Sequence, residues 1–107
     1  MWPPALAREL RPTCENCNRS LAPDATDAMI CSYECTFCRD CVEVVLSNVC
    51  PNCGGGFERR PVRPAHPWIE GETRVLTPST NVVHKPVDPV AHKALVALIS
   101  GRSPSER

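Results

Sequence analysis

The 107 residues leave room for one domain and a tail, and no stretch approaches the length of a membrane-spanning helix. Twelve basic and twelve acidic side chains balance to a net charge of zero, which by itself says little about partners. All eight cysteines fall between Cys14 and Cys53, a segment with few large apolar side chains. A module of roughly forty residues is too small to be held by such a core alone and needs metals, disulfides or oligomerisation.

Residues 1–12 read as a poorly ordered lead-in, with one helical turn suggested over Ala5 to Leu10. The opening MWPPALARELRP carries prolines and charges and has no apolar run suited to secretion. The expected setting is therefore a reduced, cytoplasmic one. There, eight cysteines point to zinc rather than to four disulfides.

The module is expected over residues 13–60. Its cysteines form four pairs, Cys14/Cys17, Cys31/Cys35, Cys38/Cys41 and Cys50/Cys53, enough for two tetrahedral four-sulfur sites holding two Zn2+ ions. Such closed sites are structural, because no position is left for water or substrate. Pairing could be sequential, giving two beads on a string, or crossed. The crossed scheme places Cys14, Cys17, Cys38 and Cys41 on one ion and Cys31, Cys35, Cys50 and Cys53 on the other. It is favoured, because it ties distant segments together and sends the closely spaced Cys35 and Cys38 to opposite ions. A hairpin is expected around Met29 to Phe37, followed by a helix over Asp40 to Val49 with Val42, Val45, Leu46 and Val49 on one side. Knuckle, hairpin and a helix whose first turn supplies ligands make a treble-clef arrangement, a small metal-stabilised α+β fold.

Between Cys14 and Cys53 there are two basic and six acidic residues, a formal charge of −4. Two zinc–tetrathiolate centres would bring this to about −8, a surface that repels a phosphate backbone. The basic cluster Arg59, Arg60 and Arg63 is expected to offset this charge or cap the thiolates rather than grip nucleic acid.

From Pro61 to Pro89 there are six prolines, so residues 61–88 are read as an extended arm. Within it Trp68 with Ile69, and the run Thr73 to Leu76, are residues that add a strand or fill a groove. A helix is predicted over 89–100, with Asp88 as N-cap, Pro89 in the first turn and Gly101 beyond the end. Its apolar residues cover most of the circumference, so it should pack on its own module, with docking on another chain as the alternative. Residues 101–107 read as a polar tail. His66, His84 and His92 lie outside the cysteine array and form no dyad or triad, so no catalytic residue is expected.

The array fits RING finger spacing throughout, with Cys35 where the commonest version has histidine, and Cys50-Pro51-Asn52-Cys53 resembles that superfamily's closing Cys-Pro-x-Cys. The run Asp27-Ala28-Met29-Ile30-Cys31, then Cys35-Thr36-Phe37-Cys38, then Cys50 to Gly55 and Arg59-Arg60-Pro61, more closely resembles the bacterial family called domain of unknown function 1272, over about residues 8–65. The resemblance implies a RING-like zinc-binding fold in a bacterial cytoplasm and brings no established activity. Marks of ubiquitin-ligase RINGs are missing: Asn16 stands where a hydrophobic residue is usual, Val42 to Val49 has no tryptophan, and Gly54 replaces the arginine after the last ligand. The leading expectation is a non-enzymatic protein-interaction module, presenting residues such as Trp68, Leu95 and Leu98 to a protein partner. The alternatives are a nucleic-acid-associated or regulatory zinc finger and a ligase-like adaptor.

Overall fold

The computed structural model describes residues 10–72 and 79–107. The turn suggested at Ala5 to Leu10 lies, but for Leu10, outside the described residues, as does the run Thr73 to Leu76.

Strand-favouring side chains at Met29, Ile30, Thr36 and Phe37 set up a hairpin of β1 (Ala28–Ile30) and β2 (Thr36–Cys38). Ala28 faces Cys38, Met29 faces Phe37 and Ile30 faces Thr36. The loop between the strands is closed by Glu34, whose backbone takes the left-handed conformation (φ 67°) and whose N–H bonds to the Cys31 carbonyl at 2.9 Å. A short third strand, β3 (Glu58–Arg59), pairs antiparallel with β1 on its other side, giving the order β2-β1-β3. Sequence periodicity could not announce β3, because it is two residues long and both are charged and exposed. All of β2 is buried, and Phe37 meets Phe57 edge to face with ring centroids 5.4 Å apart. Leu21, Leu46 and Val49 complete a core in which cysteines are as numerous as aliphatic residues.

The helix expected over Asp40 to Val49 is shorter and wider than predicted. A single π-type turn spans Cys41–Val45, with the Leu46 N–H reaching the Cys41 carbonyl five residues back at 2.8 Å. It ends because Ser47 and Asn48 both adopt left-handed backbone (φ 52° and 57°). Val42, Leu46 and Val49 are buried, but the wider turn leaves Val45 largely exposed, so the expected four-residue stripe is broken.

Among the described residues the segment 61–88 holds no helix or strand. Trp68 and Ile69 are exposed, and Trp68 stacks edge-on against His66 instead of filling a groove. Helix α1 spans Pro89–Ile99. The Asp88 carboxylate accepts from the Val90 and Ala91 amides at 2.9 and 3.3 Å, Pro89 occupies the first turn, and left-handed Ser100 closes the end. The helix packs on its own module through His92 and Ile99. His92 Nε2–H donates to the Leu46 carbonyl at 2.8 Å, and Ile99 Cδ1 comes within 3.8 Å of where a Cβ on Gly54 would stand.

Residues 101–107 fold back onto the loop that follows Cys53. Pro104–Glu106 form a 3₁₀ turn, and the Arg107 guanidinium donates to the carbonyls of Asn48 (2.8 Å) and Gly54 (3.3 Å). Gly56 is required by this approach, since a Cβ there would lie 2.5 Å from Pro104 Cγ. Replacing the helix cap, Asp88→Ala, should cost about 1 kcal/mol of helix stability. Amide exchange at Val90 and Ala91 should accelerate first, which hydrogen-exchange measurements would register.

Candidate metal centres

Two of the cysteine pairs are built on the same backbone device. In the first, the Asn18 N–H bonds to the Cys14 carbonyl and the Cys14 N–H to the Arg19 carbonyl, both at 2.9 Å. In the last, the Gly54 N–H bonds to the Cys50 carbonyl and the Cys50 N–H to the Gly55 carbonyl, both at 2.8 Å. Asn18 and Gly54 each sit in left-handed backbone (φ 61° and 79°), which Asn and Gly tolerate at low cost. Cys31 opens the β1–β2 loop, Cys38 ends β2 and Cys41 begins the π-type turn. The residue types at these corners therefore determine where the sulfurs point.

The sulfurs of Cys14, Cys17, Cys38 and Cys41 all lie within 4.8 Å of one another, as do those of Cys31, Cys50 and Cys53. The grouping is crossed, not sequential. The eight cysteines are free thiols rather than disulfides. Cys35 differs from the expected four-sulfur set, because its sulfur is not within that mutual distance of the second group. It is buried, with Asn52 and Cys31 near enough to influence its thiol. Four sulfurs at one centre and three at the other, with a fourth alongside, are donor sets that could hold metal ions.

Backbone amides are aimed at the sulfurs. The Tyr33 N–H reaches Cys31 Sγ and the Gly55 N–H reaches Cys53 Sγ, each at 3.4 Å, and Asn16 Nδ2 donates to Cys41 Sγ at 3.3 Å. Burial pushes the thiols of Cys35, Cys38, Cys41 and Cys50 up from their ordinary pKa, with the amides of Asn52 and Cys53 partly offsetting this at Cys50. Cys17 moves the other way: burial opposes the shift, but hydrogen bonds from the Arg19 amide and from the thiols of Cys14, Cys38 and Cys41 outweigh it.

The two groups are joined by a residue the sequence did not single out. Glu15, between Cys14 and Cys17, is buried, and its carboxylate accepts from the Thr36 amide (2.6 Å) and from Asn52 Nδ2 (3.3 Å), while Arg11 pairs with it. Thr36 follows Cys35, and Asn52 lies between Cys50 and Cys53, so one carboxylate spans both centres. No period or motif around Glu15 exposes this role in the sequence.

The arginine cluster divides. Arg60 is buried, donating to the carbonyls of Arg11 (2.8 Å), Leu21 (3.3 Å) and Ala22 (3.0 Å), so it caps backbone rather than thiolates. Burial, then the neighbouring Arg63, lower its pKa, while Asp27 works against both. Arg59 is exposed on β3. His92 packs locally, and none of the three histidines belongs to either sulfur group.

A family model described as "Protein of unknown function (DUF1272)" matches residues 7–63. An uncharacterized protein of Rhizobium meliloti (strain 1021) is 64% identical over 72 residues, covering 64% of this chain and 86% of that protein. The chain belongs to the DUF1272 family. No solved structure matches it. Both cysteine groups lie inside the matched region, whereas α1 lies beyond it. Among the described residues no helix is long and apolar enough to cross a membrane.

Because the raised thiols are protonated at neutral pH, a metal ion must displace their protons. Metal uptake by the apo-protein should therefore release protons, and affinity should rise with pH and be lost on acidification. Titration in weakly buffered solution with a pH indicator measures this directly. Glu15→Ala should cost about 2 kcal/mol by leaving the buried Thr36 amide unpaired, measured by denaturant unfolding of the metal-loaded protein.

Proposed function

We propose that this DUF1272 member is a non-enzymatic structural zinc module of RING-like, treble-clef form that holds two Zn2+ ions and offers a surface to a protein partner in the bacterial cytoplasm. The observation that carries the reading is the gathering of Cys14, Cys17, Cys38 and Cys41 from segments more than twenty residues apart. All-sulfur donor sets suit zinc or iron, and two crossed centres in a chain with little other core favour zinc as the folding ion. Cys35 would complete the second set from its place beside Cys31. When bound, zinc supplies cross-linking rather than chemistry, since four thiolates close its shell. The hairpin, whose second strand ends in Cys38 and leads into a turn that begins at Cys41, supports the treble-clef reading.

The surface argument rests on exposed apolar side chains: Trp68, Ile69, Val90 and Leu98 face solvent. Leu95, named with Trp68 and Leu98 as a presenting residue, is instead half-buried beside the cleft between α1 and Pro51. Nucleic-acid binding is disfavoured by the acidic module and by Arg60, whose charge is occupied by its own backbone carbonyls.

Metal analysis of the purified protein should give two zincs per chain, and chelation at neutral pH should unfold residues 13–60, with an apparent metal contribution on the order of 10 kcal/mol per site. A chain that keeps its fold after complete metal removal would refute the reading. Affinity capture with the intact chain and with a Trp68→Ala/Leu98→Ala variant tests the surface. A stoichiometric protein lost in the variant is the expected outcome, and nuclease-sensitive material would point to the regulatory-finger alternative.

A further inference from the structure

The C-terminal segment touches the module at a telling place. Glu15 and Asn16 are the two residues between Cys14 and Cys17, and the arm contacts both. The Lys85 amide donates to the Glu15 carbonyl at 2.7 Å, the Val87 amide donates to Asn16 Oδ1 at 2.9 Å, and His84 Nε2 lies 3.2 Å from the Asn16 carbonyl. The same Asn16 side chain donates through Nδ2 to Cys41 Sγ at 3.3 Å.

We propose that Asn16 is a positioning residue through which an ion in the first cysteine group and the docking of residues 84–99 stabilise each other. The inference rests on the reading that Cys14, Cys17, Cys38 and Cys41 hold a metal. A carboxamide is planar, so fixing its N–H on sulfur fixes where its oxygen points. Here that oxygen receives Val87, immediately before the Asp88 cap of α1. A metal-bound sulfur carries negative charge and accepts a stronger hydrogen bond than a neutral thiol. Loading the first group therefore tightens the donor end of Asn16 and presents its acceptor end to the arm.

A second connection reaches the same cysteine. His92 of α1 donates to the Leu46 carbonyl, and the Leu46 N–H bonds to the Cys41 carbonyl at 2.8 Å. Coupling between two binding events is reciprocal, so a docked segment must slow loss of the ion by the factor with which the ion favours docking. Residues 84–88 and α1 lie beyond residues 7–63, the span that the family model matches.

The test uses the full-length zinc-loaded chain and two readouts: zinc transfer to a chromogenic chelator, and hydrogen exchange of the α1 amides. Two zincs should leave in two phases. Asn16→Ala should start with two zincs, speed one phase by about five-fold or more, leave the other unchanged, and speed α1 exchange. Val87→Pro, which removes the donor from the arm side without touching any sulfur contact, should speed the same phase. Combining the two should add little beyond the larger single effect, as expected for one shared interaction. If Asn16→Ala loosens α1 while both phases keep their original rates, or if Val87→Pro moves neither phase, the coupling is overturned although the metal reading stands. A chain that binds no zinc would defeat both.

Discussion

Everything in this small fold depends on sulfur atoms from distant stretches of chain converging on common centres. Cys14 and Cys17 meet Cys38 and Cys41, while Cys31 meets Cys50 and Cys53, so each group encloses the chain segment that leads to the other. Such crossing makes local pieces interdependent. With an ion in each group the hairpin could not leave without pulling on both, since β2 ends in Cys38 and β1 runs into Cys31. For a segment of this size, ions held by these groups would take over the part that apolar burial plays in larger domains.

Around this arrangement, polar groups that would ordinarily be costly to bury are given structural tasks. Glu15 joins the turn of the first pair to the turn of the last, and Arg60 gathers three backbone carbonyls from the residues around the first knuckle. Buried charges with several hydrogen-bond partners are tolerated where isolated ones are not. The thin apolar core, centred on Phe37 and Phe57, is left to fill space between these fixed points.

The cysteine spacing made the two groups and their crossing readable before any coordinates, because thiol positions are set by short-range turns and by the counting of ligands. The hairpin and α1 were readable for the same local reasons: β-favouring residues around Met29 and Phe37, and the Asp88-Pro89 start of the helix. What was not readable depended on tertiary company. Val42, Val45, Leu46 and Val49 have helical spacing, yet the left-handed backbone at Ser47 and Asn48 cuts the turn short. His92 is a polar residue, yet it is one of the two buried residues of α1, because the Leu46 carbonyl accepts from its ring. Asn16 looked like a departure from a hydrophobic position, and its role emerges only when Cys41 and Val87 are both beside it. Cys35 shows the limit of ligand counting, since spacing puts it in the second set but does not fix the direction of its sulfur.

The most direct measurement is X-ray absorption at the zinc edge of the purified, metal-loaded protein. The account predicts a first shell of sulfur alone, four per zinc averaged over the two sites at about 2.3 Å. A substantial nitrogen or oxygen contribution, or a protein whose cysteines prove to be bonded to each other and carry no zinc, would contradict it.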